Sequence, residues 1–288
     1  MHRPVCITYD STCDLTPQLL ERFRIRTVPL TIQSGERVFP DDGRYTSADL
    51  YADYRSRGTL PKTAAVSPEE FKAFFAPILA EGYDIVHIDI SAELSCTCQN
   101  AVLAAQELTE RGEIHVVDSR QLSTGGGLLA LRGAKLRDAG MAAADIAAEL
   151  RRLAPHSDTS FVLDTLEYMW KGGRCSGVAA LGANMLKLKP CLEMREGKLV
   201  VCKKYRGAMG KVYRQYITER LAGKTVVEDH AFITHSGEVS EDTLRELTEL
   251  VRELAPFKEV FITQAGCTVS SHCGPGTLGV LFLRQPAQ

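Results

Sequence analysis

The chain has 288 residues, of which 44% are hydrophobic and 24% are charged, a composition typical of a soluble globular protein with a sizeable core. Its formal net charge is −2 and it has no long run of lysine or arginine, which argues against nucleic acid as a partner. No apolar run reaches the ~20 residues needed to span a bilayer, and the N-terminus does not resemble a signal peptide. The nine cysteines lack the spacing of a disulfide framework, so we expect reduced thiols in a cytoplasmic protein.

The first half of the chain alternates strand-like and helix-like segments. The clearest helix has Ser67 at its N-cap and Pro68 at its first helical position, and Glu70 completes a capping box. A helix is also predicted over 47–58, with its first serine as the cap. The other predicted elements are strands at 4–9, 25–32, 83–90 and 113–119 and helices at 15–23, 97–112, 125–140 and 142–154. This alternation predicts an α/β domain over 1–155 with a parallel sheet flanked by helices.

The second half of the chain mixes hairpins with crossovers. A hairpin is predicted over 189–204, turning at Glu196 and Gly197. The other predicted elements are strands at 159–163, 230–236, 258–266 and 277–283 and helices at 178–188, 208–223 and 241–255. This pattern predicts a second α/β domain over 156–288, with a mixed sheet and helices.

The turn between the strand at 83–90 and the helix after it concentrates hydroxyl and thiol groups. The first backbone N–H groups of that helix lack intrahelical partners and carry the positive end of its dipole. With the hydroxyls of Ser95 and Thr97 they can hold an anion. Three alternatives remain open. Ser95 can be a simple N-cap, Cys96 and Cys98 can bind a metal, or one of these thiols can be a nucleophile with a histidine base.

Further turns contain side chains suited to an anion, although each taken alone is equally typical of an ordinary loop. Thr63 lies before the capped helix, Arg174 follows paired glycines, and Arg206 belongs to a modest basic patch. His272 precedes a Gly-Pro-Gly sequence, which predicts a rigid turn between strands where an imidazole can bind an anion or move a proton. Ligand sites of open α/β sheets form at such strand ends. No P-loop, nucleophile elbow, zinc-protease motif or dinucleotide fingerprint is present.

An ordered set of segments resembles the DegV family of bacterial lipid-binding proteins. The resemblance runs almost end to end, over ITYDSTCDLTPQLLERFRIRTVPL, KTAAVSPEEF, ISAELSCTCQNA, VVDSRQLSTGGG, LDTLEYMWKGGR, LKLKPCLEM, KYRGAMGK and HCGPGTLGV. It implies two α/β domains that hold one fatty acid, with the tail in an apolar tunnel and the carboxylate at the domain junction. Some family members are the non-catalytic binding subunit of fatty acid kinase and present the carboxylate to a separate kinase subunit, which makes acyl phosphate.

The resemblance also implies six site residues, matched by motif. They are the ligand-binding Thr63, Ser95, Cys96 and His272, and Arg174 and Arg206 toward the head group or the kinase partner. A fatty acid is then the ligand, and neither a metal nor another cofactor is expected. Insertion into a membrane is not expected either, and contact with a membrane surface would be transient at most.

The sequence departs from the family pattern in the same turn. Cys96 stands where the family usually has a glycine, Cys98 where it has an aromatic residue, and TAAVS replaces the usual T-S-Q-P-S. If the backbone at position 96 required a positive φ, a cysteine there would be strained. The alternative function is a cysteine-dependent enzyme of acyl transfer or hydrolysis that uses Cys96 or Cys98.

Overall fold

The computed structural model describes residues 3–174 and 188–285. Its strands are β1 (Val5–Asp10), β2 (Ile25–Val28), β3 (Thr31–Ser34), β4 (Arg37–Pro40), β5 (Lys62–Ala64), β6 (Asp84–Asp89), β7 (Ile114–Asp118), β8 (Ser157–Val162), β9 (Leu188–Arg195), β10 (Lys198–Arg206), β11 (Val226–His235), β12 (Glu259–Gln264) and β13 (Leu278–Arg284). Its α-helices are α1 (Pro17–Arg22), α2 (Ser47–Arg57), α3 (Pro68–Ala80), α4 (Thr97–Glu107), α5 (Thr124–Asp138), α6 (Ala143–Leu153), α7 (Glu167–Gly172), α8 (Met209–Leu221), α9 (Glu241–Leu254) and α10 (Cys267–Cys273).

The first sheet has four parallel strands in the order β2-β1-β6-β7. Strands β1 and β6 are buried along their whole length, as expected for central strands of a parallel sheet that is covered on both faces. Helices α5 and α6 pack on one face of this sheet and α3 and α4 on the other. The predicted parallel sheet flanked by helices is therefore confirmed.

A small antiparallel sheet, in the order β4-β3-β5, was not predicted. The segment 25–32 was predicted as one strand, but it divides at Pro29 into β2 and β3. Proline has no backbone N–H and cannot continue a ladder, so the chain leaves the parallel sheet there. As a result β3 pairs with β5 and sets Thr63 opposite Ile32.

The predicted start of α3 is confirmed, and that of α2 is wrong by one residue. Ser67 and Glu70 exchange the two hydrogen bonds of a capping box at the start of α3. The cap of α2 is Thr46, whose hydroxyl accepts from the N–H of Asp49, while Ser47 is the first helical residue. The carboxylate of Asp49 in turn accepts from the N–H of Thr46. Because a capping box needs an acidic or amide side chain three residues after the cap, this spacing selects Thr46 over Ser47.

The second sheet has the order β10-β9-β8-β13-β11-β12. Only β11 and β12 pair in parallel, and the other neighbours are antiparallel. The predicted mixed sheet is confirmed, as is the hairpin, whose turn residues Glu196 and Gly197 both have positive φ. The helix predicted at 178–188 falls outside the described residues except for Leu188, which belongs to β9.

Helix α5 connects the two halves of the molecule. One hydrophobic cluster joins Ile7 and Tyr9 of the first sheet and Leu129 of α5 to Phe232 and Leu281 of the second sheet. Because this cluster contains residues of both sheets, it does not mark a boundary between them. The division into domains 1–155 and 156–288 stays a prediction.

The prediction for the segment around His272 is wrong. The structure has a helix there, α10, which ends at Gly274 with a φ of 75°. Six of its seven residues are buried, so the segment lacks the two-sided pattern by which a surface helix is recognised. Across the two described ranges, no helix is both long and apolar enough to cross a membrane.

Candidate ligand-binding site

A cavity of about 350 Å³ lies where the ends of β6 and β7 meet β10 and α10. Ile90 directly follows β6 and Leu122 lies between β7 and α5. The cavity is thus at the carboxyl ends of neighbouring parallel strands, where open α/β sheets bind ligands. Its apolar wall consists of Leu30, Ile90, Leu94, Leu122, Met169, Leu199 and Val269.

Five of the six predicted site residues line this one cavity. They are Thr63, Ser95, Cys96, Arg174 and His272. The sixth, Arg206, is the last residue of β10; it is exposed and does not line the described part of the cavity wall.

His272 and Thr63 meet at the cavity although 209 positions separate them in the sequence, and Nε2 of the imidazole lies 3.3 Å from Oγ1 of Thr63. Burial lowers the pKa of His272 to about 4, and the positive charge of Arg174 contributes in the same direction. The imidazole is therefore neutral at pH 7. Its Nδ1 lies so close to Gly172 that a Cβ on that residue would come within 2.2 Å, so a larger residue there would displace the ring.

The turn that contains Ser95 has the hydroxyl groups expected from the sequence. Ser95 Oγ accepts a hydrogen bond from the N–H of Thr97, the first residue of α4, and lies 2.7 Å from Thr97 Oγ1. The N-cap position itself belongs to Cys96, whose side chain makes no capping bond. Cys96 has a φ of −77°, so the cysteine at this position causes no backbone strain.

This turn is attached to both halves of the molecule. The N–H of Ile90 donates to the buried carboxylate of Asp10 at 2.7 Å. The hydroxyl of Ser91 donates to the carbonyl of Gly197, at the tip of the β9–β10 hairpin, also at 2.7 Å. A Cβ on Gly197 would lie 2.9 Å from Ser91 Oγ, so the hairpin can approach this closely because its turn has a glycine.

Two carboxylates fix the start of α10. Asp41 accepts from the backbone N–H groups of Cys267 and Thr268 at 2.9 and 3.0 Å. Asp14 accepts from the N–H of Gly266 at 2.8 Å. The helix that holds His272 is therefore oriented by residues from the first 41 positions of the chain.

Thr268 is a site residue that the sequence analysis missed. It is buried and lines the cavity, and within the described ranges its Oγ1 has no hydrogen-bond partner. It lies four positions before His272, on the same face of α10. If α10 had been predicted as a helix, the four-residue spacing would have placed Thr268 beside His272 and indicated it as a site residue. An unpartnered hydroxyl in an apolar wall is an available donor for a ligand.

The two cysteines of the turn differ in accessibility. Cys98 is buried, and burial raises the pKa of its thiol far above the ordinary value. Cys96 is exposed, and its sulfur lies 4.0 Å from Nδ2 of Asn100. In the described part of the chain, neither thiol has a histidine partner and no metal-binding cluster of three or more His, Cys, Asp or Glu residues is found. Burial thus makes the Cys98 thiol poorly suited to act as a nucleophile.

Asp14 gives a pH-dependent prediction. Burial, with a smaller contribution from the nearby carboxylates of Asp41 and Asp10, raises its pKa to about 8, whereas in the unfolded chain an aspartate titrates at about 3.9. Between those values the folded protein binds more protons at this position than the unfolded chain. The free energy of unfolding contributed by Asp14 therefore falls as the pH rises through this window.

Asp14→Asn is expected to reduce that fall, so that the variant gains stability relative to the parent as the pH rises from ~5 to ~8. Asparagine tolerates the left-handed backbone of residue 14, whose φ is 50°, and its amide oxygen can still accept from Gly266. Urea unfolding at several pH values measures the effect. Asp145→Asn, at an exposed position of α6, is the control. Parallel curves for Asp14→Asn and the parent would contradict the prediction.

Comparison with known proteins shows the family of this chain. The sequence profile of the family described as "Uncharacterised protein, DegV family" matches residues 4–285. A DegV domain-containing protein of Deinococcus radiodurans is 31% identical over 284 residues, which cover 96% of this chain and 97% of that protein. The chain belongs to the DegV family.

Solved structures of DegV proteins have the same architecture. One is reported as fatty acid binding of a DegV family protein from Thermus thermophilus; it is 30% identical, with a TM-score of 0.87 over 99% of this chain and 100% of that one. Another is the Streptococcus pneumoniae fatty acid kinase (Fak) B3 protein loaded with linoleic acid, 22% identical with a TM-score of 0.83 over 98% and 99% of the two chains. At that identity the second likeness shows the fold alone. Structural relatives of this DegV protein are thus fatty-acid-binding proteins.

Proposed function

We propose that this protein binds a single long-chain fatty acid, with the tail in the cavity and the carboxylate at its polar side, and presents the acid to a kinase subunit. The observation that supports this most directly is the cavity itself. Its lining divides into a majority of apolar residues and a few polar groups, namely the hydroxyls of Thr63, Ser95 and Thr268 and the neutral imidazole of His272, which lies 3.3 Å from the hydroxyl of Thr63. A ligand with a long apolar tail and one polar end matches that division.

The polar groups suit a carboxylate because they are hydrogen-bond donors and no aspartate or glutamate is among the described residues of the lining. Burying a carboxylate is costly unless several hydrogen bonds meet it. The unpartnered hydroxyl of Thr268 can donate without breaking an existing bond. Ser95 and Thr63 can rotate their hydroxyls toward the ligand, and the start of α4 adds backbone N–H groups.

The apolar part of the cavity suits the acyl chain. Each methylene that leaves water for such a wall contributes about 0.8 kcal/mol, so the tail provides most of the affinity and the head group sets the orientation. A second cavity of about 30 Å³ shares Leu122, Val269 and Cys273 with the first. The two cavities are therefore neighbours that share part of their lining.

Arg174 supports the presentation step. It is exposed, lines the cavity and donates to the carbonyl of Gly172, so it adds positive charge where the carboxylate meets solvent. Arg206 is exposed on β10 and can contact a partner without touching the ligand. In this proposal the protein is not an enzyme, because the kinase subunit catalyses acyl phosphate formation. The ligand lies at the junction of the predicted domains 1–155 and 156–288.

Mass spectrometry of protein purified from cells tests the binding step. Under native conditions we expect an added mass of fatty-acid size that disappears on denaturation. The loaded protein is then mixed with ATP and a bacterial fatty acid kinase catalytic subunit, and acyl phosphate is trapped with hydroxylamine. A bare polypeptide that also fails to bind added oleate or palmitate would refute the proposal. A loaded protein that yields no acyl phosphate would refute the kinase step alone.

A further inference from the structure

Two cysteines lie side by side on the β9–β10 hairpin. Val201 pairs with Leu192 and Lys203 pairs with Cys191, so Cys202 is the extra residue of a β-bulge. In a bulge two consecutive residues of one strand oppose a single residue of its partner. Cys202 therefore lies across from Cys191.

The contacts between these residues agree with that register. The thiol of Cys202 donates to the backbone carbonyl of Cys191 at 3.4 Å. Opposed residues of antiparallel strands have Cα atoms about 4.5–5.5 Å apart. That separation lies within the roughly 4.4–6.8 Å that a disulfide tolerates.

The two thiols differ in exposure and in pKa, so Cys202 is suited to react first with an oxidant and Cys191 to complete the disulfide. Cys202 is exposed, whereas Cys191 is buried. The neighbouring Cys191 thiol lowers the pKa of Cys202, whereas the Cys202 thiol and burial raise the pKa of Cys191. The accessible thiol is therefore also the one that ionises more readily, which is the combination found in redox-active cysteines.

We propose that Cys191 and Cys202 form a reversible disulfide when the protein meets hydrogen peroxide. The thiolate of Cys202 attacks one peroxide oxygen, the O–O bond breaks, and a sulfenic acid and hydroxide form. The sulfur of Cys191 then attacks the sulfur of Cys202, the S–O bond breaks, and water leaves as its proton and the hydroxide combine. Two thiols and one peroxide thus give one disulfide and two waters, with the two electrons of the thiols transferred to the peroxide.

The position of the pair connects it to the cavity wall. Leu199 lies on the same strand as Cys202 and lines the cavity, and Leu192 and Val201 beside the bulge belong to the same hydrophobic cluster. Oxidation would thus modify the strand that closes one side of the cavity. The proposal rests on the two thiols and does not depend on the nature of the ligand.

Peptide mapping of the full chain tests the proposal. The protein is treated with hydrogen peroxide, free thiols are alkylated, and trypsin is added without reductant. Cleavage after Arg195 and Lys198 separates the two cysteines, so the disulfide is expected as two peptides, 188–195 and 199–203, that remain joined and have lost two hydrogens. Dithiothreitol is expected to release them.

Two variants decide the assignment. Cys202→Ser is expected to abolish the joined peptides, and Cys96→Ser, which removes another exposed thiol, is expected to leave them unchanged. Full alkylation of Cys202 after peroxide would overturn the proposal. Its oxidation to sulfinic acid without a cross-link, or a cross-link to a cysteine other than Cys191, would overturn it equally.

Discussion

Ala65→Trp is expected to abolish fatty-acid binding while the protein remains folded. Ala65 lines the cavity just after β5, and an indole ring there would occupy space that the acyl chain needs. Displacing only four methylenes from the apolar wall would cost about 3 kcal/mol, or roughly 100-fold in affinity. Titration with oleate, followed by calorimetry or by native mass spectrometry, measures the loss.

The neighbouring residue provides a matched control. Ala64 is exposed on β5 and does not line the cavity, so Ala64→Trp is expected to bind oleate like the parent protein. The unfolding midpoint of Ala65→Trp is expected to equal or exceed that of the parent, because the new side chain fills empty space. Normal oleate binding by a folded Ala65→Trp would show that the chain lies elsewhere.

Removal of the hydroxyls is expected to weaken binding without changing the shape of the cavity. Thr63→Val and Thr268→Val keep the branched side chain and delete one hydrogen-bonding group each, and Ser95→Ala deletes the third. A hydrogen bond to a charged group contributes about 1.5–3 kcal/mol, so each variant is expected to bind oleate about tenfold to 100-fold more weakly.

An ester of the same acyl chain separates the head-group effect from the tail. Methyl oleate has no carboxylate, so the three variants are expected to differ much less from the parent in binding it. Thr218→Val, on an exposed position of α8, serves as the control and is expected to bind oleate normally. Equal losses for oleate and its ester would mean that the hydroxyls support the fold of the site and do not hold the carboxylate.

Local chemistry explains the parts of the fold that the sequence predicted correctly. The capping box of Ser67 and Glu70 acts within four residues, so it was visible in the sequence and forms in the structure. The apolar runs of β1 and β6 likewise reflect burial on both faces of a parallel sheet. Where two local signals competed, as at Thr46 and Ser47, the prediction was wrong by one residue.

The segment around His272 shows where local signals end. Its seven residues are small or polar and nearly all buried, so neither hydrophobic periodicity nor helix propensity identifies α10. Its first N–H groups are satisfied by Asp14 and Asp41, more than 220 positions away in the sequence. The helix forms because the rest of the molecule supplies its cap, and with it Thr268 reaches the cavity.

The sequence by itself determined the alternating elements of the first half, the β9–β10 hairpin and the residue types from which a carboxylate site can be built. Those features depend on neighbours a few residues apart. Only the tertiary structure decided that Thr63, Ser95, Arg174 and His272 line one cavity. Contacts between residues so far apart in the sequence depend on which strand ends and loops the packed sheets bring together. No short stretch of sequence contains that information.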